Sequence, residues 1–328
     1  MRLPRLLPIH RPSVGISFSS TAVGVTVLRR PWFGQPVVTR AAQASLSSGI
    51  LCPSRTAVNL KDSNQVVEQL RLLTDGLRDR AVAVSLPDQC ACVGLFGLDS
   101  FPENEAERIG LLRWRFEHHD KIALGDTVLK YRVFHSTQDD DKRLTHVLGV
   151  MIKQAVLREY EAALNAAGLL PVSVGVAALQ LFELCRPLMT SRHEVLFAHH
   201  HDETLTVMAI RQGVPVFLRT IPLRRRQVDL RRELIGTLQF YNDQVIGRRT
   251  GEREAVTSMY VVSGEPWTAT ESAAQPQGAE DSEVWLPTGQ LDWRVRVVQI
   301  GWGSVPVAQG TADGVSPELS SLASGVAA

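Results

Sequence analysis

His199-His200-His201-Asp202-Glu203-Thr204 is a polar cluster that separates two apolar runs and gathers three imidazoles and two carboxylates. Imidazole nitrogens are zinc donors and alternate residues of a strand share a face, so His199 and His201 have the atoms and spacing for part of a zinc site. No Cys or His cluster elsewhere in the sequence matches them. Asp202 and Glu203 read either as a solvated turn or as metal carboxylates. A second cluster, Ser17-Phe18-Ser19-Ser20-Thr21, lies near the N-terminus, and its hydroxyl residues are ordinary turn formers. Ser263-Gly264 ends a brief apolar run late in the chain. Asp229 and Glu233 would share one helix face, with no general-base partner beside them. Cys90 and Cys92 would share one face of a strand, where packing accounts for them, and the four cysteines have no metal-site pattern.

Stepping outward from these residues, the flanking patterns supply the elements that must hold them. Val14 to Phe18 and Ala22 to Leu28 are strands around the Ser-rich turn. Leu205, Val207 and Ala209 alternate as in a half-buried strand, and Val216, Leu218, Thr220 and Pro222 continue the pattern past Arg211-Gln212-Gly213. A polar helix follows. Two similar hairpins suggest two similar halves. Between them the spacing predicts a helix over 64–77 and strands over 80–86 and 91–98. An acid-led helix over 102–116 and strands over 127–135 and 145–152 come next. A helix over 154–167, stopped by Gly168, precedes a strand over 169–176 and a helix over 177–188. Residues 35–56 read as irregular. Met259 to Val262 and Leu291 to Ile300 are later strands, and the Gly/Ser/Ala-rich end reads as disordered.

The 328 residues, 44% of them hydrophobic, are enough for two domains with real cores. With 35 Lys and Arg against 34 Asp and Glu, net charge gives no reason to expect a nucleic-acid partner. Positive charge clusters at Arg224-Arg225-Arg226 and Arg231-Arg232, as a solvated helix face or a contact for an acidic partner or lipid headgroups. Sparse cysteines fit the cytosol. The opening MRLPRLLPIHRPS is too broken by proline for a signal-peptide core, and no apolar run reaches the roughly 18 residues of a membrane span. The expectation from these features is a soluble, cytosolic chain that meets a membrane only through partners.

Leu86-Pro87, Trp114 and Tyr131-Arg132-Val133, the Ala-Gly-Leu-Leu-Pro connection at 167–171, and GVPVFLRTIPL with LRRELIGTLQFYNDQ further on together resemble the actin-like ATPase family, and within it the type IV pilus assembly PilM group. Residues 82–134 resemble that group's segment from a Leu-Pro strand end through a Glu-rich helix with a Trp to a strand, matched here by Leu86-Pro87, Trp114 and Tyr131-Arg132-Val133. Residues 150–184 resemble its helix, Ala-Gly-Leu, Pro, strand, helix connection. GVPVFLRTIPL at 213–223 and LRRELIGTLQFYNDQ at 230–244 resemble "GVPLF-R-IP" and "E-I-RSLQFY" and are the most specific short matches.

The resemblance implies an α/β, actin-like (ribonuclease H-like) fold of two related halves with an inserted small α/β subdomain. The implied divisions are an extension at 1–13, a first half at 14–168 with the insert at about 80–135, and a second half at 169–303. An irregular segment falls at about 265–283 and a disordered tail at 304–328. It also implies where a nucleotide would sit: Ser17, Ser19, Ser20 and Thr21 in the first phosphate loop, Asp202 and Thr204 in the second, and Ser263 and Gly264 in the third. Such loops need glycines for close backbone approach and an acidic residue for the metal. Here Ser17 stands for the aspartate, Ser19 for a glycine, and the second loop lacks its glycine with its carboxylate displaced.

The implied function is therefore a pseudo-ATPase scaffold with no cofactor, ATP and Mg²⁺ being the alternative. Its implied partners are the cytoplasmic tail of a PilN-like inner-membrane protein and pilus motor ATPases. Trp114, Arg115, Tyr131 and Arg132 are the expected partner contact, since extended tails use aromatic and arginine anchors. Other readings are an ATP-binding protein with an unorthodox phosphate site, a type II secretion or MSHA-type component, and a sugar kinase.

Overall fold

The computed structural model describes residues 12–30, 36–120, 125–135, 144–189, 194–223, 228–241, 257–263, 281–285, 294–299 and 308–309. Strands β1 (Val14–Phe18), β2 (Ala22–Arg29) and β3 (Val37–Ser45) form an antiparallel meander. Helix α1 (Ser63–Leu73) then leads to β4 (Ala81–Leu86), parallel to β1. The chain next leaves this sheet to build β5 (Cys92–Leu98), α2 (Glu105–Asp120), β6 (Thr127–His135) and β7 (Thr145–Lys153), with the strands ordered β5-β7-β6. It returns through α3 (Gln154–Ala166) to β8 (Leu170–Val176), parallel to β4, and α4 (Ala177–Cys185).

The opening path then recurs. A meander of β9 (Glu194–His201), β10 (Thr204–Arg211) and β11 (Val214–Pro222) feeds α5 (Val228–Tyr241) and β12 (Thr257–Ser263), parallel to β9. Beyond β13 (Asp281–Trp285), β14 (Arg294–Gln299) lies parallel to β12. The orders β3-β2-β1-β4-β8 and β11-β10-β9-β12-β14 thus correspond strand for strand.

Local chemistry fixes the ends of these elements. Asp62 caps α1 by accepting from the Gln65 N–H at 3.1 Å. Gly168, at φ +79°, ends the helical turn before β8 in the left-handed conformation that a side chain disfavours. Asp202 and Glu203 both adopt positive φ, +48° and +57°, which matches the twist of a tight two-residue hairpin.

Three apolar layers result. On the outer face of the first sheet, Ile16, Phe18 and Val84 pack on Val66 and Leu70 of α1 and Tyr160 and Leu164 of α3. Between the sheets, Phe197, Met208 and Val262 meet Leu181, Phe182 and Cys185 of α4 together with Ala22 and Leu28. On the far face of the second sheet, Leu205, Val207 and Ala209 pack on Leu234 and Leu238 of α5. Strand β10 is therefore buried on both faces rather than one. Each such side chain contributes on the order of 1.5–3 kcal/mol of burial.

Tertiary pairing departs from the sequence-based divisions at several points. Val37–Ser45, within a segment expected to be irregular, is β3; its mixed composition carries little periodicity, and pairing with β2 fixes it. Strand β4 lies in the large sheet although the expected insert of 80–135 included it, and the insert's sheet takes in Thr145–Lys153. Strand β8, at the expected start of the second half, completes the first sheet because its partner is β4. β13 begins at Asp281, inside the expected irregular segment, and β15 (Ala308–Gln309), inside the expected tail, pairs parallel to β3. Local composition does not encode these distant partners.

Candidate functional site

The β1–β2 and β9–β10 turns meet where the two halves face each other. Ser19 closes its own turn: its N–H donates to the Ala22 carbonyl at 2.9 Å and its hydroxyl accepts from the Ala22 N–H at 3.0 Å. Ser20 reaches across. Its N–H donates to Asp202 Oδ2 at 2.5 Å and its hydroxyl to Asp202 Oδ1 at 2.9 Å. Thr21 is exposed on the turn, and its carbonyl accepts from the Leu46 N–H at 2.7 Å. The left-handed turn aims the Asp202 carboxylate at Ser20, and the Glu203 carbonyl accepts from the Leu223 N–H at 2.6 Å. Gln89 donates its side-chain amide to the Asp202 carbonyl, and the Thr204 hydroxyl lies 3.4 Å from the same oxygen.

A second carboxylate runs in the opposite direction. Asp88, one residue beyond the Pro87 that stops β4, is buried; it accepts the Ala178 N–H of α4 at 2.9 Å on Oδ1 and the Thr206 hydroxyl of β10 at 3.0 Å on Oδ2. His199 Nδ1 lies 3.5 Å from the same Oδ2. Burial acts to raise the Asp88 carboxyl, but the hydrogen bond and charge of His199, with the Ala178 N–H and Thr206 hydroxyl, outweigh it and hold the group below its ordinary value. His199 and His201 share the inner face of β9 with ring centroids 6.0 Å apart, as their spacing predicts, and His201 Nε2 lies 3.7 Å from Asp202 Oδ2. Among the described residues no group of three or more His, Cys, Asp or Glu is arranged to hold a metal ion.

These residues do not fit a magnesium–triphosphate group. The Ser20 donors already hold a carboxylate, and a second anion there meets electrostatic repulsion. Ser17, at the position where the metal-binding carboxylate is expected, is 0% exposed beside Ser85 on β4 and brings no charge. Gln180 of α4 reaches down to the Val84 carbonyl, and a Cβ on Gly175 would collide with it. Of the third loop, the Ser263 backbone pairs β12 with β9 at His200, while Gly264 lies outside the described residues.

The four residues expected to meet a partner divide between two faces of the inserted sheet. Tyr131 turns toward α2, donating to Glu105 Oε2 at 2.6 Å and packing edge-on to Phe101. Its neighbour Arg132 points the other way, to Glu183 of α4 at 3.1 Å, with its guanidinium 5.0 Å above the Phe134 ring. Trp114 on α2 is 48% exposed, stacked near His118 at 4.3 Å with the Arg115 guanidinium 5.4 Å from its ring centre. The Arg224 to Arg226 cluster lies outside the described residues.

Asp88 and Gln89 belong to no motif in the sequence. The available signal is an acidic residue directly after the largely apolar β4 and its proline, where a buried carboxylate must find donors.

No protein-family model matches the chain, and no curated protein matches it. Solved structures do. The structure of a PilM–PilN type IV pilus biogenesis complex superposes with a TM-score of 0.71 at 15% identity, over 98% of this chain and 98% of that one. A Bacteroides thetaiotaomicron protein of unknown function with an actin-like ATPase fold gives 0.46 at 10% identity, over 77% and 82%. The cytoplasmic domain of EpsL, an inner-membrane component of the Vibrio cholerae type II secretion system, gives 0.41 at 13% identity, over 81% and 90%. With its duplicated sheets and inserted subdomain, the chain has the actin-like ATPase fold.

Proposed function

We propose that this chain is a non-catalytic actin-like scaffold of a type IV pilus or related secretion machine, sited on the cytoplasmic side of an inner membrane. It holds the cytoplasmic tail of a PilN-like membrane protein and passes that attachment to the rest of the assembly. The observation that carries this reading is the correspondence, over nearly the whole of both chains, with a protein solved in a PilM–PilN complex. The insert that distinguishes this architecture is intact, with Phe116 locked at its centre and Trp114 on its surface. No helix among the described residues is long and apolar enough to cross a membrane, so attachment through a partner's tail is the economical arrangement. The non-catalytic part rests on Ser20 and Asp202, which spend on each other the groups a phosphate would need.

Calorimetry with a synthetic PilN-like cytoplasmic tail, run beside an ATP titration with and without Mg²⁺, tests both parts. Tail binding without nucleotide is expected. Tight Mg²⁺-dependent ATP binding would instead support the reading of an ATP-binding protein with an unorthodox site, which the retained strand-turn-strand frames favour; absence of tail binding would remove the scaffold role.

A further inference from the structure

We infer that the two halves are latched together at the β1–β2 and β9–β10 turns by two reciprocal carboxylates, one of which takes the donors that a bridging phosphate would use. This rests on the reading above only in taking the β1–β2 and β9–β10 turns as former phosphate loops. In a two-half fold of this kind, a ligand bound between the halves contributes closure by touching both. Here the chain supplies those contacts itself. Asp202, from the second half, takes the backbone N–H and hydroxyl of Ser20 in the first. Asp88, from the first half, takes the Thr206 hydroxyl of the second and lies 3.5 Å from its His199.

The two pins are mechanically joined. Gln89, next to Asp88, donates to the Asp202 backbone carbonyl, and Asp88 also caps α4, whose apolar side chains fill the layer between the sheets. Movement of either turn therefore disturbs both contacts. An incoming phosphate must displace a carboxylate tethered within the same chain, a contact favoured by its intramolecular effective concentration. It must also approach against the charge of that carboxylate. Closure here is an autoinhibitory contact against anions, fixed at synthesis and independent of any nucleotide.

The test is hydrogen exchange of the full chain, with inorganic tripolyphosphate, with and without Mg²⁺, as the probe. Asp202→Gly removes the carboxylate, and glycine accepts the positive φ of that position without strain. Asp202→Asn keeps the shape and removes only the charge. The wild type is expected to show slow exchange in the turn at 19–22 and no response to tripolyphosphate. Asp202→Gly is expected to exchange there about tenfold faster or more, as loss of a charge-assisted hydrogen bond requires. It should then gain concentration-dependent protection from tripolyphosphate, with Asp202→Asn between the two.

Unchanged exchange in Asp202→Gly overturns the latch. Protection of the wild type, or none in Asp202→Gly, overturns the assignment of the turn as a masked anion site. Tail-peptide affinity measured on the same samples separates the two readings: a failed latch with intact tail binding removes only this inference, and the converse removes only the scaffold role.

Discussion

Replacing Asp88 with alanine is expected to destabilise the chain by about 3–5 kcal/mol, the range for removing one partner of a buried charged pair. The magnitude follows from what is left behind. The Ala178 N–H at the start of α4, the Thr206 hydroxyl and His199 Nδ1 all lose the carboxylate in a buried site, the hydroxyl keeping its contact with Thr220 at 3.2 Å. A buried donor left without its acceptor costs roughly 1–3 kcal/mol, and the loss of the charged partner beside His199 adds to it. Asp88→Asn retains an acceptor oxygen and should lose less. The contribution also has a pH signature. Because the folded Asp88 carboxyl lies below its ordinary value, its stabilisation is fully present above the unfolded pKa, about 3.9, and is lost as pH falls through the lower folded value. Urea unfolding of wild type, Asp88→Ala and Asp88→Asn at neutral pH and near pH 3 reads both effects. The gap between wild type and Asp88→Asn should narrow in acid. A cost below about 1 kcal/mol for Asp88→Ala at neutral pH, or a gap that does not change with pH, would refute the account of Asp88 as an ionised pin.

Four further outcomes follow from particular residues. Phe116 is fully buried against Phe96, with ring centroids 5.0 Å apart, so Phe116→Ala should cost about 3–5 kcal/mol and open the insert first, read by proteolysis within 92–153. A Cβ on Gly149 would stand 2.9 Å from the Phe116 ring, so Gly149→Ala should cost roughly 1–3 kcal/mol by overpacking, measured by the same unfolding assay. Arg132→Glu sets two carboxylates together at Glu183; both side chains are exposed, so stability should change by less than about 1 kcal/mol, while calorimetry should show weakened binding of a PilN-like tail, and unchanged binding would remove this surface from the contact. Burial pushes the Cys90 and Cys185 thiols up to about 12, so brief alkylation of native protein near pH 8 should label partly exposed Cys52 ahead of both, as peptide mass spectrometry will show.

The latch changes the meaning of the degenerate loops. Glycine and aspartate missing from the phosphate positions would by themselves describe a weakened nucleotide site. Instead, the displaced carboxylate of the second loop has a defined job: at Asp202 it satisfies the Ser20 donors of the first loop.

Local pattern was sufficient for what local physics controls. The alternation in β10 and β11, the short runs of β1 and β2 around a Ser-rich turn, the helical spacing of Val66, Leu70 and Leu73, and the terminator Gly168 mark most elements from the sequence alone. The recurrence of a hairpin, together with the stretches around Leu86-Pro87 and GVPVFLRTIPL, marked the duplicated fold. The pairing of His199 and His201 on one face was equally legible, because side chains alternate along a strand. Only tertiary structure decided which sheet received β4 and β8, that β3 is a strand, and that β10 is covered on both sides. It alone turned Tyr131 and Arg132 toward different partners and brought Ser20 to Asp202 and Asp88 to Thr206. The reason is physical: periodicity reports which face of an element is apolar, whereas the identity of a buried polar group's partner is set by contacts more than a hundred residues away, for which the chain carries no local mark.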